Sequence, residues 1–63
     1  MAYKVFVVEL DKYIETQFVE LTNAVKTAER IGKKIKSDCT IIDDDYTKTY
    51  IGIWSLTTGF IRN

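Results

Sequence analysis

Two stretches of this sequence, "YKVFVVEL" (Tyr3 to Leu10) and "KTYIGIWSL" (Lys48 to Leu56), are rich in β-branched and aromatic residues and read as strands. Both carry apolar side chains on each side of the pleat. On the first, Tyr3, Val5 and Val7 alternate with Phe6, Val8 and Leu10; on the second, a regular strand sets Tyr50, Trp54 and Leu56 against Ile51 and Ile53. A sheet built from such strands needs cover on two faces. The sequence supplies one clear helix to cover them.

That helix is "LTNAVKTAERIGKKIK", Leu21 to Lys36. Leu21, Ala24, Val25, Ala28, Ile31, Gly32 and Ile35 repeat at three and four residues and form one apolar stripe. Lys26, Thr27, Arg30 and Lys33 take the opposite face, and Glu29 with Lys33 makes a favourable i,i+4 pair. Glu15 and Glu20 lie upstream, and Lys33, Lys34 and Lys36 at the end, as the helix dipole favours. Gly32 costs roughly 1 kcal/mol inside a helix; it either ends the helix or lets it approach the sheet closely. Ser37 and Asp38 form the exit turn.

The segment before the helix, "DKYIETQFVE" (Asp11 to Glu20), fits two readings. Tyr13, Ile14, Thr16, Phe18 and Val19 favour a second strand after an Asp11-Lys12 turn. Alternatively Asp11 caps a helix running through to Lys36, about 38 Å long at 1.5 Å per residue. Such a rod would overhang any sheet the remaining residues can build, so the strand is preferred. "CTIID" (Cys39 to Asp43) is a further strand. The tail, Thr57 to Asn63, is a turn followed by a short strand or a packed loop. The fold class is therefore α+β, two layers in a single domain spanning residues 1–63: one amphipathic helix on a small antiparallel sheet, ordered ββαββ, or βαββ with the longer helix.

A chain of 63 residues buries a thin core, about 60% of the surface its unfolded form exposes. Domains of this size lean on disulfides, metals or association. Cys39 is the single cysteine and there are no histidines, so association is the expected support. No secretory leader is read at Met1, and the apolar run from Val5 to Val8 is too short to span a membrane. With a lone thiol, a reducing cytoplasm is the expected setting. Nine acidic and nine basic residues cancel. That argues against both a basic nucleic-acid binder and an acidic mimic of one.

Three aspartates, Asp43, Asp44 and Asp45, stand between two of the strands. Asp43, Asp45 and Thr47 place oxygens at alternate positions, as the first half of a calcium loop does. The likeness ends there, with Asp44 at the second position, no glycine at the sixth and Trp54 where the bidentate glutamate belongs. No metal and no cofactor are expected. The triplet reads as a hairpin turn, because aspartate carboxylates bond nearby backbone N–H groups, and as a recognition knob if it faces a partner. Without histidine, Cys39 and the hydroxyl residues lack a base to activate them. Gly32, Gly52 and Gly59 make no phosphate cradle. No enzyme activity is expected.

The apolar set left outside the helix defines the expected function. Tyr and Trp tolerate partial exposure and anchor interfaces, so the aromatic-rich faces, Tyr3 with Val5 and Val7, and Tyr50 with Trp54 and Leu56, are expected on the open side. The isoleucine-rich set is expected under the helix. The partner-binding residues are then Tyr3, Asp43, Asp44, Asp45, Tyr46, Tyr50 and Trp54. The expected role is a small protein-interaction module, an inhibitor or adaptor of the kind phages and mobile elements carry, acting sterically and self-associating as a homodimer. The alternative is a single-stranded nucleic-acid binder that stacks bases on the sheet aromatics, with Lys4, Lys48 and Arg62 on phosphates.

Overall fold

The computed structural model describes residues 2–45 and 48–63. It contains β1 (Tyr3–Val7), β2 (Lys12–Tyr13), α1 (Leu21–Ile35), β3 (Cys39–Asp43), β4 (Thr49–Ser55) and β5 (Gly59–Arg62). The strands form one antiparallel sheet in the order β2-β1-β3-β4-β5, and α1 packs on one side of it. This is the α+β two-layer fold read from the sequence, with a fifth strand in the tail.

The long-helix alternative does not form. Val8 to Asp11 make a tight double turn in which Leu10 N–H bonds to Val7 O and Asp11 N–H to Val8 O, and Asp11 closes it in the left-handed region at φ 53°. The backbone from Ile14 to Phe18 then runs along the outer edge of β1. Ile14 N–H bonds to Val5 O at 2.9 Å, and Tyr3 and Phe18 exchange both backbone bonds at 2.7 and 2.9 Å. Amides committed to β1 are not free to build a helical ladder. The expected second strand is consequently short, and the helix begins at Leu21 behind an extended Glu20.

α1 turns a line of small residues, Ala24, Ala28 and Gly32, onto the sheet. Beneath it lie Val5 and Val7 of β1, Cys39 and Ile41 of β3, and Trp54 of β4, with Leu21, Val25, Ile31 and Ile35 packed at the flanks. The Gly32 position sits against the Trp54 ring. A Cβ there would fall on Cζ3 and Cε3 of the indole and 2.8 Å from the Ser37 carbonyl oxygen. The helix closes on Lys36 in the left-handed conformation (φ 58°, ψ 52°), and Ser37 N–H returns to Gly32 O at 3.1 Å. The buried Ser37 hydroxyl accepts Glu9 N–H at 3.0 Å and donates to Asp38 O at 2.8 Å, which pins the helix exit to the β1–β2 turn.

β4 is not a regular strand, and this alters which residues share a face. Ile41 pairs with Gly52 but Ile42 with Tyr50, so Ile51 is an extra residue. Such a bulge moves everything before it to the other side of the sheet. Gly52 and Trp54 face the helix, Ile51 packs at the edge of the core, and Tyr50 points away. The expected division of faces is thus corrected. Val5, Val7 and Trp54 lie under the helix because its small-residue line leaves room for the indole. Phe6 and Ile53 are on the open side, while Val8, Leu10 and Leu56 fall in exposed turns.

Two substitutions test this packing by urea denaturation. Gly32→Ala is expected to lose about 1–3 kcal/mol from the clash with Trp54, although alanine is the better helix former; a gain in stability would contradict the contact. Lys36→Gly is expected to gain about 0.5–1 kcal/mol by relieving the left-handed backbone.

Candidate interaction surface

Strand register fixes which side chains form the face opposite α1. One row crosses all five strands, Tyr13·Phe6·Thr40·Ile53·Ile61, and beside it runs Lys4·Ile42·Tyr50. Backbone alternation extends the pattern to a third row, Ala2·Asp44·Lys48, since Asp44 N–H bonds to Ala2 O at 2.8 Å and continues the β1–β3 ladder. None of the apolar residues in these rows belongs to the cluster under the helix.

This face is apolar at its centre and partly shielded by its own long side chains. Ile42 is only 6% exposed although it lies on the face away from α1. Phe6 and Tyr13 meet edge to face, with ring centroids 5.0 Å apart at 68°, a geometry the ring quadrupoles favour. The ammonium groups of Lys4 and Lys48 both lie 5.4 Å from the Tyr13 ring centroid. Each such contact is worth about 0.5–1 kcal/mol at an exposed site, and the methylene stems cover apolar surface on the way. Shielding stops toward β4 and β5, where Tyr50 is 43% and Ile61 52% exposed.

Of the residues expected to bind a partner, the structure brings Tyr50 and Asp44 to this face. Trp54 is 3% exposed beneath the helix, and Tyr3 is half-buried against the helix-side core and joined to Phe18. Asp43 Oδ1 accepts Asp45 N–H at 3.1 Å, the side-chain turn that the aspartate triplet suggested. Tyr46 lies outside the described residues, as does Thr47. Sequence reasoning missed Phe6, Tyr13, Ile42, Ile53 and Ile61 as members of one surface. Their signal was the two-sided patterning itself, obscured by the bulge at Ile51.

Cys39 is fully buried, and burial pushes its thiol above the ordinary value near 9.0, with the negative charge of Asp38 adding to the rise. A neutral, enclosed thiol is packing material. Among the described residues no group of three or more His, Cys, Asp or Glu side chains is placed to hold a metal ion, and no helix is long and apolar enough to cross a membrane. No family model, curated protein or solved structure matches this chain.

The raised thiol gives a pH test. The folded state keeps Cys39 protonated where the unfolded chain releases its proton, so this contribution to stability is complete below about pH 9 and declines above it until the folded thiol itself ionises. Stability should therefore fall more steeply above pH 9 in the native protein than in Cys39→Ala. Equal slopes would contradict the burial. Native Cys39 should also react with a thiol reagent only as fast as the protein unfolds.

Proposed function

We propose that this chain is a small non-enzymatic protein-interaction module of the cytoplasm, which lays the face opposite its helix on another protein and blocks or bridges a functional surface there. It is an inhibitor or adaptor of the type found in phages and mobile elements, and it self-associates through the same face. The observation that carries this reading is the row Tyr13·Phe6·Thr40·Ile53·Ile61, uncovered by any element among the described residues and ending in a half-exposed isoleucine. An apolar core with aromatic anchors and a charged margin, here Lys4, Lys48 and Asp44, is the composition of protein interfaces.

Ile53→Asp puts a carboxylate in the middle of that row without touching the helix-side core. Affinity capture from the native host, compared between the two forms, is expected to lose its specific partner with the variant, by about 30-fold or more in affinity for a central contact worth ~2 kcal/mol. Capture of the same proteins at the same strength by both forms would overturn the reading.

A second reading rests on the two lysines at the Tyr13 ring and the exposed Tyr50 on the same face, which resemble a stacking platform with phosphate contacts. Titration of labelled oligo(dT) separates the two. Binding at low salt that weakens steeply as salt rises, and is reduced by Tyr50→Ala, supports the nucleic-acid reading. Absence of binding at low salt removes it.

A further inference from the structure

We infer that the uncovered face is closed by a second copy of this chain, about a two-fold axis that runs along β3 between the two sheets; this rests on the protein-binding reading above and names the partner.

β3 is the middle strand of five. Rotation about an axis parallel to it sets β1 over β4 of the mate and β2 over β5 of the mate, and keeps each residue at its own height along the strands. The registered rows are complementary under that operation. Phe6 lies over Ile53 of the second copy and Tyr13 over its Ile61, so the aromatic half of the long row covers the aliphatic half. Thr40 meets Thr40 on the axis, and Ile42 meets Ile42. Lys4 comes over the exposed Tyr50, its methylene stem against the ring. Such a contact is isologous and closes at two subunits, and sheets stacked with strands nearly aligned are a regular packing arrangement.

Charge complementarity argues for the same occupant. Among the described residues, Lys4 and Lys48 direct their ammonium groups to Tyr13 and neither is ion-paired. Asp44 extends the central strand, so two copies bring both Asp44 carboxylates to the axis, with Lys4 and Lys48 of each chain on either side. On pairing, these four ammonium groups leave Tyr13 for the two carboxylates, which lie between the lysine positions. Lys48 passes over Ala2 of the second copy, where the small side chain leaves room. The whole chain has zero net charge, so no long-range repulsion opposes the pairing.

Sedimentation velocity across protein concentration tests the assembly. The native chain is expected to move from monomer to dimer, and Ile53→Asp to raise the dimer dissociation constant about 100-fold while keeping the native circular dichroism and the buried-type emission of Trp54. Thr40→Cys should be joined to itself by a short bifunctional thiol reagent, because position 40 lies on the axis, while Glu29→Cys on the exposed side of α1 should not. A native chain that stays monomeric at every concentration overturns the inference, as does an unweakened dimer of Ile53→Asp, or cross-linking at position 29 as efficient as at position 40. A monomer whose captured partner still depends on Ile53 overturns the two-fold pairing alone and leaves the docking face standing.

Discussion

The fit of the Trp54 indole against the notch at Gly32 determines most of this structure. A large flat ring on β4 and a helix position without a side chain let the two layers close together. Ala24 and Ala28 extend the notch into a line of small residues, so α1 lies low over Val5, Val7, Cys39 and Ile41. That one contact selects which side of the sheet the helix takes. Everything on the other side is left for the chain's own lysines, or for another molecule, to cover.

The consequence is unequal treatment of two apolar faces. The helix side is a packed core that buries the tryptophan and the cysteine. On the far side Ile42 is buried although it faces away from α1, with Lys4 and Tyr50 beside it in register. This arrangement protects the centre of the sheet but not its β4–β5 side, where Tyr50 and Ile61 remain in water. For a domain with so small a core, burying that remaining surface by association is a direct source of stability. The proposed function draws on that same requirement for cover.

Much of the fold was legible in the residues. The apolar stripe from Leu21 to Ile35, the strand Cys39 to Asp43 and the α+β class follow from periodicity, which local sequence encodes directly. The aspartate triplet read correctly as turn chemistry through the bond from Asp45 N–H to Asp43. Which face the helix would choose was not legible. Tyr50 and Trp54 are four residues apart and share a side in a regular strand, yet the bulge at Ile51 separates them. A bulge depends on pairing with β3, and pairing is a long-range property that no local window contains. The brevity of β2 was hidden for a similar reason, since hydrogen bonds from Ile14 and Phe18 to β1 decide it. The meeting of Lys4 and Lys48 at Tyr13 joins residues from β1, β2 and the approach to β4.

The central claim is that one apolar face of this sheet is covered by its own helix and the other is not. Methyl NMR of isoleucines in the presence of a soluble gadolinium chelate tests it most directly. In dilute solution the Ile41 methyls should be protected and those of Ile61 strongly broadened, with Ile61 regaining protection as the protein is concentrated. Ile61 methyls as protected as those of Ile41 at every dilution would show that the chain covers both faces by itself, and would contradict the account.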